Sequence, residues 1–426
     1  MVVMAIFLAM VPTRPSMAAE SLMQLLTNVL KDHQRVRASE QDLAAARQSA
    51  KAALGDWFPT LDLTANYGYE RQRKPSAIDT AGLPFYEFDA TLTQLLWDFG
   101  STNATIKQAR LAFEQARVNL VATRQGLILE AVVAYVDLNT RNKVVEFARG
   151  SESNIKRQTE LEDSRVQRGS GFSTDVLQAK TQLAGSQSRR IQAEGALQAA
   201  RNRYRAVFYS EVADLSALTR PRLPADLIPE TLEEVIEASL KNNPQLKSSR
   251  LTAEIARASL KQTKSDEFRP VLNGVAEMKQ KENVQGTIGY KGEFLFKVEL
   301  AYDINLGLTA LNTLRASQHS SRAATGRVRE TEDVIEEQAR NAWQQLITAT
   351  ANAEFLSNQA NIAGEFLELA RKERQLGRRE LIDVLAGETA LINASSDAVE
   401  AEAAVITAAY SLLNAMGRLD LDALQK

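Results

Sequence analysis

A mostly α-helical protein with a β-barrel portion, built from one unit written twice, is what this sequence predicts. Three observations carry that expectation. The stretches QRGSGFSTDVLQAKTQL (167–183) and QLGRRELIDVLAGETAL (375–391) match: Gly169 with Gly377, Asp175 with Asp383, both 208 residues apart. Long segments run without proline and carry sparse apolar residues at helical spacing. Between them lie segments of about ten residues in which apolar and polar residues alternate, with aromatics near their ends.

The composition narrows the function classes. A formal charge of −2 over 426 residues lacks the basic surplus of a nucleic-acid binder. There is no cysteine, which excludes disulfides, thiolate metal sites and cysteine nucleophiles. His33 and His319 lie far apart, with no ligand cluster beside either. No P-loop, G-x-S-x-G, H-E-x-x-H or dinucleotide fingerprint occurs, so neither catalysis nor a cofactor is expected. The GSG at 169–171 lacks the strand and the lysine of a phosphate loop.

In chain order, residues 1–19 read as a signal peptide: a short apolar run, Pro12, Pro15, and the small-residue site Ser16-x-Ala18. No Lys or Arg precedes the run, which departs from the usual pattern. The first repeat is expected over 20–217. Leu22, Leu25, Leu26, Val29 and Leu30 predict a helix over 21–55. Pro59 ends it, and TLDLTANYGYE (60–70) then alternates as a strand. YEFDATLTQLLW (86–97) is the second strand. After Gly100 a proline-free helix over 101–167 would run on the order of 100 Å. Gly169 breaks it, and a return helix follows over 174–208, making a long hairpin. Pro221, Pro224 and Pro229 make 218–230 a non-helical linker.

The second repeat, 231–417, follows the same order: helix 231–267, Pro270, strands 271–280 and 293–303, helix 309–375, Gly377, helix 381–416. A tail of 418–426 remains. Pro270 matches Pro59, and Gly307 matches Gly100. One chain thus offers four strands. Four strands cannot close a barrel, and open edges are not tolerated in lipid. An eight-stranded barrel is nearly filled by side chains, so a conduit needs at least three copies.

The order and duplication of these motifs resemble the TolC-type outer-membrane efflux and secretion channels over essentially the whole mature length. The resemblance rests on NNPQLKSSRLTAEIARASLKQTKSDEFRPVL (242–272), LWDFGST, GFSTDVLQAKTQL, LGRRELIDVLAGETAL and LLNAMGRL (412–419). It implies a homotrimer, with a twelve-stranded barrel in the outer membrane continued by an α-helical periplasmic barrel. It also implies a periplasmic membrane-fusion adaptor protein and an inner-membrane transporter of ABC type as partners, outer-membrane lipid around the barrel, and no nucleic acid. VQRGSGFSTDVLQAKTQL and EGALQAARNRYRAVF resemble the type I secretion branch, particularly exporters of large adhesins. A duct for a multidrug or small-molecule pump stays open as an alternative, and a soluble periplasmic coiled-coil scaffold as a more distant one.

Two sets of residues follow from the resemblance. The tips, Gly169, Ser170, Gly171, Phe172, Gly377, Arg378 and Leu381, are expected to dock the adaptor. Arg379 matches the arginine that holds the family's closed periplasmic gate by bonding a Thr-Asp pair, here Thr174-Asp175. Arg374 stands where the family has a tyrosine, and is expected to pair with an aspartate instead. Ala386 stands where the family has a ring aspartate; Asp383 keeps the other acidic ring. Without the resemblance, the glycines read as left-handed helix caps and the aspartates as first-turn charges that suit the helix dipole.

Overall fold

The computed structural model describes residues 22–71, 82–212, 215–285, 288–304 and 306–421. The expected signal peptide and the end of the tail lie outside them. The element order is helix, helix, strand, strand, long hairpin, written twice. In the first repeat it runs α1 Leu22–Asp32, α2 Gln34–Gly55, β1 Thr60–Glu70, β2 Leu83–Trp97, α3 Ser101–Gln167, α4 Ser173–Phe208. The second runs α5 Leu232–Asn242, α6 Pro244–Phe268, β3 Val271–Glu282, β4 Tyr290–Ala301, α7 Thr309–Gln375, α8 Leu381–Ala415. Helices α3 and α7 are 67 residues each, so the duplication preserves even their length.

The first helix of each repeat, expected as one piece, is broken in both. In the second, the Asn243 side chain accepts from Gln245 N and Leu246 N, and Pro244 opens the new helix. In the first, His33 Nδ1 accepts from Arg35 N at 3.1 Å, an imidazole doing the work of the asparagine. His33 is buried and stacks on Tyr209 at 5.0 Å between centroids. Burial, helped by the nearby Arg35 charge, holds its pKa below the ordinary 6.5.

Contacts divide the chain into two compact units that cut across the repeats. One comprises the chain up to Val36 with Arg124–Ser239 and Gln338 onward; the other comprises Arg37–Thr123 and Leu240–Glu337. The first holds the hairpin ends. Its core includes Leu127, Ala131, Tyr135 and Leu138 of α3 and Leu412 and Leu413 of α8. The 218–230 linker is tied down there: Thr219 N donates to Tyr135 Oη at 3.1 Å, Tyr410 Oη donates to Arg222 O at 3.4 Å, and Arg220 pairs with Glu402 at 2.7 Å. It is not wholly extended, since Ala225–Leu227 forms one 3-10 turn. The start of the tail packs as well: Leu419 is buried, and Gln125 Nε2 donates to Gly417 O at 3.0 Å.

The second unit holds one antiparallel sheet in the order β1-β2-β3-β4. The register sorts its side chains into two faces. Leu63 pairs with Ala90, Ala90 with Met278, and Met278 with Phe294, so one face is apolar across all four strands. Tyr67, Tyr69, Phe296, Val298 and Leu300 share it and are exposed. The opposite face is charged. Glu87 pairs with Lys281, Glu277 with Lys279 at 2.7 Å and with Lys297 at 3.2 Å, and Lys291 with Glu293 at 2.6 Å. An exposed apolar face and a charged face on one sheet are what lipid on one side and water on the other require. Among the described residues no helix is long and apolar enough to cross a membrane.

The strands end nearer their turns than expected. The connections shrink from the 71–85 and 281–292 left by the expected strands to 71–82 and 283–289, of which 72–81 and 286–287 lie outside the described residues. At the other end of β2, Asp98 accepts from Gly100 N at 2.9 Å and Thr102 N at 2.5 Å and so caps α3. Burial opposes the Asp98 charge, but these bonds outweigh it and hold the carboxyl below its ordinary value. Phe99 and Gly100 take positive φ, which explains the WDFGST segment as strand end, turn and cap in succession.

Candidate functional site at the hairpin tips

Both hairpins turn by the same hydrogen bonds. Gly169 N donates to Val166 O at 2.9 Å and Ser170 N to Arg165 O at 3.0 Å. Gly377 N donates to Arg374 O at 3.0 Å and Arg378 N to Glu373 O at 2.9 Å. These are two Schellman caps, with the glycines at φ 76° and 70°. A Cβ at either position would meet nothing within 4 Å, so backbone conformation alone calls for glycine there.

Beyond the glycines, Arg168, Ser170, Phe172, Thr174, Leu376 and Arg378 are exposed, while Gly171, Asp175 and Arg379 are half-buried. Phe172 is 76% exposed, an aromatic ring presented to solvent. Leu381 corrects the expected docking set. It is buried against Ile155, Ala179 and Leu385, with Leu183 packed alongside. That cluster joins α3, α4 and α8 behind the tips and holds the two hairpins side by side. Asp175 and Asp383 both lie in the first turn of their helices, as the dipole favours.

The expected gate bonds are not made within one chain. Among the described residues nothing joins Arg379 to Thr174 or Asp175. Arg379 Nε instead donates to Glu373 Oε2 at 2.6 Å, its Nη1 lies 3.7 Å from Asp383 Oδ2, and its guanidinium sits 5.3 Å from the Phe366 ring centre. Its nearest carboxylates are on its own hairpin, so they capture it first. Arg374 does not pair with an aspartate either. Its Nη2 donates to Glu162 Oε1 at 3.0 Å and its Nη1 to Arg379 O at 3.2 Å, while its Nε is buried with no partner. Glu162 is buried and also accepts from Arg165 Nη1 at 2.9 Å. A carboxylate of α3 thus ties α3 to α7.

A second buried carboxylate, Glu388 of α8, takes Arg371 of α7 and accepts from Asn154 Nδ2 of α3 at 3.5 Å. Neither glutamate was expected from the sequence. The signal was register: Glu162 follows Ile155 and Thr159 on a buried stripe, and Glu388 falls between Leu385 and Ile392 on another. A carboxylate in phase with apolar neighbours must find a cation. The repeats also carry one ion pair with its signs exchanged. Asp163–Lys180, at 3.7 Å, stands 208 residues before Arg371–Glu388. The first pair is exposed; the Glu388 side chain of the second is 2% exposed.

The sequence profile described as "Outer membrane efflux protein" matches residues 25–207 and again 235–418. The outer membrane efflux protein BepC of Brucella suis is 24% identical over 95% of this chain and 87% of its own. The alkaline protease secretion protein AprF of Pseudomonas aeruginosa is 24% identical over 92% of this chain and 83% of its own. The solved outer membrane protein VceC of Vibrio cholerae superposes with a TM-score of 0.78 at 17% identity, covering 93% of this chain and 96% of that one. With the profile matched over most of its length, the two-faced sheet and the paired long hairpins, this chain belongs to the outer membrane efflux protein family and is an outer-membrane export channel.

Proposed function

We propose that three copies of this chain form one duct, from a periplasmic mouth at the hairpin tips to a twelve-stranded barrel, and that the duct serves type I protein secretion. The four-stranded sheet carries this reading. Among the described residues its β1 and β4 edges are unpaired in one chain, its apolar face demands lipid, and edges in lipid must be closed by another copy. Twelve strands leave a lumen that eight would fill. The charged face of the sheet then lines water. A membrane-fusion adaptor and an ABC-type inner-membrane transporter are the proposed partners, with the adaptor docking at Gly169–Phe172, Gly377 and Arg378.

The resemblance of 167–183 and of EGALQAARNRYRAVF to secretion components favours protein cargo, and AprF is named for secretion of a protease. BepC, equally similar, is named for efflux, which keeps a small-molecule duct as the second reading. Deleting the gene and measuring both outcomes separates them. Loss of one secreted protein at unchanged drug susceptibility is expected; hypersensitivity to drugs with an intact secretome would favour the pump.

For the gate, we propose that Arg379 meets Thr174-Asp175 of a neighbouring copy when the end is closed, and that Asp383 recurs as an acidic ring. Arg379→Ser, alone or with Arg374→Ala, should raise single-channel conductance in a planar bilayer. Asp383→Ala should weaken block by multivalent cations from the periplasmic side. Both properties unchanged would remove the gate assignment.

A further inference from the structure

The apolar face of the sheet has a recess. The register sets Leu92, Ala276 and Phe296 side by side in one row, and Gln94, Gly274 and Val298 in the next. Two small residues thus follow each other on the outer face of β3, between larger neighbours on β2 and β4. Leu92 is 41% exposed, Phe296 71% and Val298 69%, so both walls stand above the backbone. The result is a mostly apolar groove of about 430 Å³, floored by the backbone of 274–276. β2 and β4 lie two strand spacings apart, about 9–10 Å, and an alkyl chain is about 4 Å across, so one chain fits between the walls. Met278 bounds the groove toward the outer turn. Leu96 bounds it at the other end: the bulge between Leu95 and Trp97 turns Leu96 onto Gly274, 3.6 Å from where a Cβ would stand. The Gln94 amide nitrogen is engaged with Trp57 O at 2.9 Å and Leu95 O at 2.7 Å.

The depth of the groove in the bilayer follows from the chain. β3 begins at Val271, just after α6, so Gly274–Ala276 lie in the half of the sheet next to the helices. The helices continue on the periplasmic side, which puts the groove in the periplasmic leaflet. Aromatic and cationic groups meet at that end of the sheet. Trp97 pairs with Leu272, the Trp97 and Phe99 rings meet edge-on at 6.1 Å, and the Arg269 guanidinium lies 5.5 Å from the Phe99 ring centre. Lys261 reaches the same corner, its Cε 4.0 Å from where a Cβ of Gly100 would stand. Both cations are exposed. The carboxylates nearby serve the protein itself: Asp98 caps α3, and Asp266 accepts from Ser101 Oγ. A tryptophan and an exposed arginine below an apolar groove suit a molecule with a phosphate at one end and a hydrocarbon chain at the other.

We infer that the groove over Gly274 and Ala276 holds one acyl chain of a glycerophospholipid of the periplasmic leaflet, with Arg269 on its phosphate. This lipid is retained at one place, unlike the exchanging lipid around the rest of the sheet. A chain seated in the recess keeps the dispersion contacts that a void over 274–276 would forfeit. The groove spans β2, β3 and β4 of one chain and needs no second copy to complete it. The inference therefore rests on the apolar face meeting the bilayer and not on the number of copies.

Photolabelling tests this. The full-length protein is placed in nanodiscs containing a trace of phosphatidylethanolamine with a diazirine on its acyl chain, irradiated, and mapped by peptide mass spectrometry. Label should concentrate on Leu92, Ala276, Phe296 and Val298, well above its level on Leu61, which lies at the same depth on β1 opposite Leu92. Gly274→Leu with Ala276→Leu fills the groove and should bring that yield down to the Leu61 level. Ala65→Leu, on the same face outside the groove, should leave it unchanged. Arg269→Gln should lower the yield about threefold, as loss of an exposed charge pair does, and Arg269→Lys should restore it. A diazirine-bearing diacylglycerol, which has no phosphate, should label less and should not respond to Arg269→Gln. Even labelling across the apolar face, or labelling that persists with the groove filled, would overturn the site. Equal labelling by the two lipids, unaffected by Arg269→Gln, would overturn the phosphate contact. If the double variant fails to insert, Ala276→Leu alone is read in the same way. Native mass spectrometry of the same samples counts the chains: a single chain would remove the trimer and leave the groove to be judged by its label.

Discussion

At the residue scale, the exchanged ion pairs are a controlled comparison within one molecule. Arg371→Met strands Glu388 in a buried site and should cost about 3 kcal/mol, the low end for breaking a buried pair because Arg371 itself is partly exposed. Lys180→Met removes the partner of an exposed carboxylate and should cost about 0–1 kcal/mol. Chemical denaturation followed by circular dichroism checks the order; equal losses would mean that Glu388 is not stranded. His33 predicts a pH effect. Its folded pKa is depressed, so its contribution is complete above about 6.5 and is lost as the pH falls through the lower folded value. Protonation would also turn the Nδ1 acceptor of the α2 cap into a donor. His33→Asn keeps an acceptor without the titration and should flatten the loss of stability between neutral and mildly acid pH. An unchanged acid slope in that variant would place the sensitivity elsewhere.

At the element scale, what the sequence made legible follows from period and punctuation. The two long helices ended where Gly169 and Gly377 said they would, because a left-handed cap leaves few alternatives to glycine. The strands were visible through alternation, and their apolar face through the same residues. The helix break at Asn243-Pro244 was written in a cap and a proline; its counterpart at His33 was not, since histidine seldom caps. Site residues were less legible. Glu162 and Glu388 show their importance only once buried stripes are placed against each other, and Leu381 looked like tip but faces inward. The tips and turns yield two further expectations. Replacing Gly169 or Gly377 by a bulky residue meets open space but a disfavoured φ, and should abolish export while leaving the oligomer assembled. Export unchanged in both variants would count against docking there. Surface protease on intact cells should cut within 71–82 or 283–289 and spare the hairpins. First cleavage beside Gly169 would reverse the orientation.

At the scale of the whole molecule, the sheet makes the demand. Among the described residues it has two open edges, and it carries a lipid-ready face. One copy leaves those edges open; a ring of copies closes them. Duplication offers a physical economy here, because each protomer then presents a first-repeat surface on one flank and a second-repeat surface on the other. The central claim is that the chain is one third of a channel, and native mass spectrometry of the detergent-solubilised protein tests it most directly. Three chains per particle once the detergent shell is stripped is the predicted result; a stable, folded single chain would contradict it.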